Sequence, residues 1–380
     1  MIYLDNAATS YPKPRAVYST VSRVMRKYGG NPGRGSHRLA RAASDALYDL
    51  RETAGDFFAC DPERVVFCSN ATHALNLAIF GLVREPCHVL MSDMEHNSTR
   101  RPVLSLCRHM GCSCSVFPSC GGDREAVLGE ISRLIREDTR LVVVNHVSNV
   151  CGVTLPVRAI CKYCKKRGIK VVIDASQSAG HLQIDMSTLG ADAVCMSGHK
   201  GLYGPAGTGL LLLGDDVHLS PMFYGGSGMD SLAEGMPESY PERLEAGTLS
   251  APLAAGLAEG IRFVRGVGTH LIHDHECRLA RLLCEYLADM ERVQLYGAPF
   301  ENLGGTVLFN VNGYTPAQVG ILLDEVGICV RSGLHCAPLA HRTLSTGENG
   351  AVRASFGYFN TVVDVRRLAD EVYRLIKCGG

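Results

Sequence analysis

From residue 44 to residue 174 the chain alternates without a break between helical periodicity and short apolar runs. The spacing predicts a helix to Phe58, then strands at 65–68, 88–91, 115–117, 141–146 and 170–174. The helices between them fall at 74–83, 98–109, 124–136 and 156–167. Pro156 suits a first helical turn, and Gly168 suits a C-terminal end. Strands alternating with helices of this length build a mostly parallel sheet covered on both faces, an α/β fold. Such sheets bind ligands at the carboxyl ends of their strands. The pattern therefore says where the chemistry must lie.

Polar groups gather at those ends. Asn70-Ala71-Thr72 opens a helix after a strand, a ready phosphate site made of free N–H groups and a hydroxyl. It lacks the glycine spacing of a dinucleotide or P-loop fingerprint, which disfavours nucleotides. Asp93 to Ser98, Asn145 to Asn149 and Asp174 to Ser178 follow three further strands. Each set alone reads equally as a helix N-cap. Their convergence with Lys200 is the stronger signal.

Lys200 stands in Ser197-Gly198-His199-Lys200-Gly201-Leu202-Tyr203-Gly204-Pro205-Ala206-Gly207-Thr208-Gly209, between apolar runs at 193–196 and 210–213. Five glycines allow sharp turns and a close approach to a bulky ligand. A lysine whose pKa is depressed by partial burial is suited to form a Schiff base with a carbonyl cofactor. A glycine-rich turn whose lysine points into water is the competing account.

Before this region lie a short extended opening, a Pro-punctuated turn, a helix at 15–28 and a glycine-rich loop at 29–37. Beyond Gly214 a polar excursion separates Gly228 from Leu244, and helices at 252–264 and 270–290 lead into a smaller α+β part. Its strands are expected at 306–311, 328–331 and 352–356, and its helices at 316–325 and 362–377. Two stretches there look chemical. Cys336 follows Gly333 and His335 and precedes Pro338, with Arg331, His341 and Arg342 near in sequence, and nearby positive charge favours a reactive thiolate. Arg353 interrupts an otherwise internal strand, so it needs an anion: a ligand carboxylate, or a core Asp or Glu.

Basic and acidic residues balance at 38 each, so no net field draws nucleic acid or an anionic membrane. There is neither a signal-peptide pattern nor an apolar run of about 20 residues, and the chain reads as cytoplasmic. Sixteen cysteines in such a chain are expected to remain thiols. The pairs Cys112-x-Cys114 and Cys161-x-x-Cys164 raise metal or redox sites, but neither has a second half at zinc spacing, and structural cysteine is the better reading.

The opening Tyr3-Leu4-Asp5-Asn6-Ala7-Ala8-Thr9, Asp174-x-x-Gln177, Ser197-Gly198-His199-Lys200, Glu245-Ala246-Gly247-Thr248, Arg331-x-Gly333-x-His335-Cys336-Ala337 and Arg353-Ala354-Ser355 resemble the class V aminotransferase superfamily. Within it the chain is similar to group II cysteine desulfurases and selenocysteine lyases. The resemblance implies the pyridoxal 5′-phosphate transferase fold of type I. A large domain over 15–255 would carry a mostly parallel seven-stranded sheet, and a small domain over 1–14 and 256–380 would carry the catalytic-cysteine loop. It implies Lys200 as the Schiff-base lysine, Asp174 against the pyridinium nitrogen, and Gln177 on the phenolic oxygen. His96 would stack on the ring and move protons. Ala71, Thr72, Ser197 and His199 would hold phosphate, with Thr248 reaching the phosphate of the other protomer of a homodimer. Asn149 and Arg353 would hold the substrate carboxylate, and Cys336 would form the persulfide.

The implied reaction converts L-cysteine to L-alanine. The sulfur would pass to a thiol acceptor protein for iron–sulfur cluster assembly or other sulfur compounds. Departures are Leu334 where a second histidine is common, Asn70-Ala71-Thr72-His73 in place of Gly-Thr-Thr-Glu, and Gly357-Tyr358-Phe359. A selenocysteine lyase acting on L-selenocysteine, or a β-eliminating cysteine lyase, is the alternative on the same fold. A cysteine-rich metal or sulfur carrier would explain the cysteines but not the residues around Lys200.

Overall fold

The computed structural model describes residues 1–33, 35–229, 232–297 and 304–378. Arg34 of the glycine-rich loop, and Asp230 and Ser231 of the polar excursion, lie outside the described residues. The chain opens with β1 (Ile2–Tyr3), α1 (Arg15–Lys27) and α2 (Arg38–Phe58). It then alternates through β2 (Val65–Cys68), α3 (Ala71–Leu82), β3 (His88–Ser92), α4 (Asn97–His109), β4 (Ser113–Phe117) and α5 (Arg124–Leu134). The alternation ends with β5 (Thr139–Asn145), α6 (Val157–Lys165), β6 (Lys170–Asp174), α7 (Met186–Leu189), β7 (Ala193–Ser197) and β8 (Gly209–Leu213).

These strands form one seven-stranded sheet in the order β2-β8-β7-β6-β5-β3-β4. β8 runs antiparallel to both neighbours and every other pairing is parallel. Six strands therefore point one way and deliver their carboxyl ends to one edge. Both faces are apolar, which is why the strands read as continuous runs rather than alternations. One face packs against α2, α6 and the following helix α8 (Ala251–Val267) through Leu50, Ile160, Cys161 and Leu257. The other packs against α3 and α4 through Leu75, Ile79 and Val103.

Caps decide where two helices start. The Asn70 side chain accepts from His73 N at 2.8 Å, so α3 begins at Ala71 rather than at 74. His37 Nδ1 accepts from Ala40 N at 3.3 Å, and α2 begins at Arg38 rather than at 44. Apolar periodicity misses both starts because a first turn need not be apolar.

After α8 come α9 (Thr269–Ala288), β9 (Val293–Tyr296), β10 (Thr306–Val311), α10 (Pro316–Glu325), β11 (Ile328–Cys329) and β12 (Arg331–Gly333). α11 (Pro338–Thr343), β13 (Ala351–Ser355) and α12 (Val362–Cys378) complete the described chain. The strand expected at 328–331 is cut in two. β11 pairs in parallel with β1, while β12 crosses into an antiparallel sheet of order β12-β13-β10-β9 and sets Arg331 opposite Arg353. An apolar run does not say which sheet will take it. Among the described residues no helix is long and apolar enough to cross a membrane.

Candidate active site

β7 ends at Ser197, and the following loop returns as β8. Two of its glycines, Gly201 and Gly209, approach protein backbone, where the sequence suggested close approach to a ligand. A Cβ on Gly201 would stand 2.4 Å from Ala179 O, and one on Gly209 would stand 2.6 Å from the Asn70 carbonyl carbon. The second contact seats the start of α3 against the lysine loop. The loop is also strapped by the N-terminal segment. His199 O accepts from Ser10 N at 3.1 Å, Thr9 Oγ1 at 3.1 Å and Lys13 Nζ at 2.6 Å. Lys200 O accepts from Ser10 Oγ at 2.9 Å.

Lys200 lines a cavity at the strand ends together with Ala71, Thr72, His96, Asn149, Asp174, Gln177, Ser197 and His199. The structure thus brings together nine of the residues singled out in the sequence. Lys200 Nζ makes no hydrogen bond or ion pair with another described residue. Burial, with the charges of Arg353 and Arg331, lowers its pKa to about 8 against the opposing pull of Asp174. Near neutrality a useful fraction is the nucleophilic amine.

Each wall group is fixed from behind. Asp174 Oδ1 accepts from Ser176 N at 2.9 Å and Ser176 Oγ at 2.5 Å, which sets the carboxylate plane. Gln177 Nε2 donates to Ala7 O at 2.8 Å. His96 Nδ1 lies 3.1 Å from Ser98 N and 2.8 Å from Ser98 Oγ, and Ser98 Oγ lies 2.7 Å from Thr72 Oγ1. A backbone N–H can only donate, so Nδ1 is the acceptor and the neutral ring carries its proton on Nε2. Burial and the charges of Lys200 and Arg331 hold that ring neutral, its pKa lowered to about 4. The sequence reading placed Ser98 in the strand-end set 93–98 but gave it no role of its own, since a serine at a helix start reads as a cap. His199 is likewise held to about 4 by burial and by Lys200 and Lys13, and its buried Nδ1 has no hydrogen-bond partner.

Arg353 sits behind this wall, 1 % exposed. It donates to Asn149 O at 2.8 Å and to Asp5 Oδ1 at 2.6 Å, while its Nε is unpartnered. The anion it requires is thus supplied at least in part by the chain, through an acid 348 residues away. Asn149 Nδ2 donates to His335 O at 2.9 Å, and Asn149 Oδ1 is buried without a partner. Glu95, fully buried, accepts from Ser92 Oγ at 2.6 Å and Asn145 N at 2.7 Å, and burial raises it to about 8. It braces the loop that carries His96.

Cys336 is exposed, and the other fourteen cysteines whose burial is described are buried or partly buried. It lines a second cavity that shares Thr72, His96 and Ser98 with the first. The histidines near it do not supply the positive charge expected from sequence. His335 and His341 are both buried, which lowers them to about 2 and about 4. Cys161 and Cys164 lie in the core under α6, their thiols raised by burial to about 12. Glu245 is structural: it pairs with Arg51 at 2.5 Å and accepts from Phe67 N at 2.7 Å. Thr248 is exposed and lies off the wall of both cavities.

A lysine on the loop after β7, an acid at the end of β6 and a helix N-terminus after β2 form one strand-end site on a seven-stranded sheet. The aminotransferase class-V family model matches residues 2–368, and the chain belongs to that family, whose fold is type I of the pyridoxal 5′-phosphate enzymes. It is 34 % identical to a probable cysteine desulfurase of Methanothermobacter thermautotrophicus over 387 aligned residues, covering 100 % of this chain and 95 % of that one. A probable cysteine desulfurase of Pyrococcus abyssi is also 34 % identical, with 99 % and 94 % covered. The apo cysteine desulfurase structure from Thermococcus onnurineus NA1 superposes with a TM-score of 0.91 at 33 % identity, covering 99 % of this chain and 95 % of that one. A cysteine desulfurase structure from Escherichia coli gives 0.89 at 25 % identity, with 99 % and 94 % covered.

Proposed function

We propose that this chain is a pyridoxal 5′-phosphate-dependent cysteine desulfurase that converts L-cysteine to L-alanine and keeps the sulfur on Cys336. The observation that carries this reading is the placement of the exposed cysteine in a cavity that shares a wall with the cavity of Lys200. The residues present fit the cofactor. Lys200 offers an amine with no competing partner, and Asp174 offers a carboxylate to a pyridinium nitrogen. Gln177 stands near for the phenolic oxygen. The N–H groups of Ala71 and Thr72, the hydroxyls of Thr72 and Ser197, and the unpartnered His199 Nδ1 suit a phosphate. Bound there, pyridoxal 5′-phosphate supplies an electron sink for the substrate Cα.

The chain's own groups do the rest. Asn149, with its unpartnered Oδ1 beside Nδ2, and the positive field of Arg353 and Arg331 hold the substrate near the wall. Lys200 takes and returns the Cα proton. His96 presents Nε2–H to the cavity as a proton donor. The Cys336 thiolate attacks the substrate sulfur, forming an S–S bond as the Cβ–S bond breaks. L-cysteine and a thiol become L-alanine and a persulfide, so no outside oxidant or reductant is needed. A thiol on an acceptor protein then takes the outer sulfur by attack on the persulfide. Thr248, off this chain's cavities and exposed, reaches the phosphate of a second copy in a homodimer. Within each copy the division into 15–255 and 1–14 with 256–380 lets the cysteine loop approach the lysine from another body.

The test is release of sulfide and alanine from L-cysteine with a reducing thiol present, for the wild type and Cys336→Ala. Equal amounts of both products from the wild type, and neither from the variant, support the reading. Pyruvate and ammonia in place of alanine, or full activity of the variant, would make the protein a lyase on the same scaffold.

A further inference from the structure

The Cys336 loop contains a polar chain that the proposed reaction does not use. His335 and His341 are 4 % and 2 % exposed, and their ring planes lie within 17° of each other with centroids 5.2 Å apart. His335 Nδ1 lies 3.0 Å from His341 Nε2, and His341 Nδ1 lies 2.7 Å from Thr346 Oγ1. At the other end His335 Nε2 faces Arg331 O at 3.4 Å.

Donor counting orients the whole chain. A carbonyl only accepts, so His335 carries its proton on Nε2. A neutral imidazole has one N–H, so His335 Nδ1 must accept. His341 Nε2–H therefore donates to it, and His341 Nδ1 accepts from the Thr346 hydroxyl. The competing acceptor for that hydroxyl, His341 O, is farther away at 3.4 Å. Burial keeps both rings neutral, with the nearby Arg353 charge acting the same way. The chain ends on a main-chain carbonyl and passes no proton to Cys336.

What it does is hold His335. That residue has φ 49° and Cys336 has φ 56°, two successive side-chain-bearing residues in the left-handed region. Side chains disfavour that region, so such a turn persists where its surroundings over-determine it. From the cavity side, Asn149 Nδ2 donates to His335 O at 2.9 Å and Asn97 N donates to Cys336 O at 2.7 Å. Ala337 N closes the turn on Leu334 O at 2.9 Å, and the imidazole chain ties the His335 ring from the opposite side.

We propose that His341 and Thr346 are positioning residues for Cys336, locking the turn so that the thiol is held in advance against the cavity wall of Thr72, His96 and Ser98. The catalytic importance of this lock rests on Cys336 being the sulfur acceptor. Its physical content does not.

The test compares Thr346→Val, which keeps the shape and removes the hydroxyl, with Thr346→Ser, which restores it. Amide hydrogen exchange over residues 331–338 and steady-state alanine formation are measured on the holoenzyme. Thr346→Val is expected to speed exchange in that segment about tenfold, the worth of one net hydrogen bond. It should lower kcat by a similar factor with KM little changed, and leave exchange in β6 and β7 as in the wild type. Thr346→Ser should behave as the wild type. Should Thr346→Val fail to fold, His341→Leu against His341→Gln poses the same question. Wild-type exchange in the hydroxyl-less or leucine variant, or equal effects of both members of a pair, would overturn the proposal. Alanine formation by Cys336→Ala would instead bring down the functional reading and leave the exchange result standing.

Discussion

The lysine cavity and the cysteine loop are built on opposite terms. Lys200, Asp174, His96 and Thr72 hang from the ends of co-directional strands, in a sheet whose two apolar faces fix where each end falls. Cys336 stands on a turn that its own backbone disfavours, held by hydrogen bonds from Asn97 and Asn149 and by a histidine pair. The first is precise because it continues a core. The second is precise because several weak ties agree. On the proposed reading, a cofactor that stays needs the former, and a thiol that accepts sulfur and releases it is served by the latter.

Four changes would break or sharpen that contrast. Lys200→Ala is expected to have the largest effect, a loss of turnover of at least about a thousandfold with loss of the Schiff-base absorption band, because nothing else in the cavity can form that bond. Retained absorption would place the Schiff base elsewhere. Cys336→Ala should abolish alanine formation yet leave the absorption of bound cofactor intact. If it bleaches the cofactor, the two regions are not separable as described. Ser98→Ala is expected to lower kcat about tenfold, by removing one of the two donors that hold His96 in its Nε2–H form. It should also alter the acid limb of the kcat–pH profile, which a purely structural role would not touch.

The smallest effect is on stability. His146 and His341 are held to about 4 by burial, below the 6.5 of an exposed ring. Between those values the unfolded chain binds protons that the native state refuses, so stability rises with pH and is lost as pH falls below about 6.5. Each group costs about 1 kcal/mol per unit of pH through that window. Tm measured from pH 7 down to 5 should fall, and His341→Gln should make the fall shallower. An unchanged slope would mean that His341 is already charged.

What could be read in the sequence follows the same division. The strand ends were legible because period and apolarity place them, and the groups after Cys68, Asn145, Asp174 and Ser197 do meet in one cavity. Lys200 stood out for the same reason. The cysteine loop was legible only as composition. His335 and His341 looked like charges because sequence proximity carries no burial, and burial makes them neutral links. The run at 328–331 gave no sign that it would serve two sheets. That Arg353 needs an anion was clear from its strand. That Asp5 provides one was not, since pairs 348 residues apart leave no local mark.

The N-terminal strap has a consequence for how the enzyme is made. Asp5, Asn6, Ala7 and Ser10 precede the whole seven-stranded sheet in the chain, yet their partners are Arg353, Asn360, Gln177 and the carbonyls of His199 and Lys200. A nascent chain that has already formed its large sheet still lacks the residues that hold Asp5 and Asn6 in place. The lysine loop therefore gains its full set of braces only after β13 has left the ribosome. A chain stopped short of that point lacks the partners of Asp5 and Asn6, and the strap that braces the lysine loop is left unfinished.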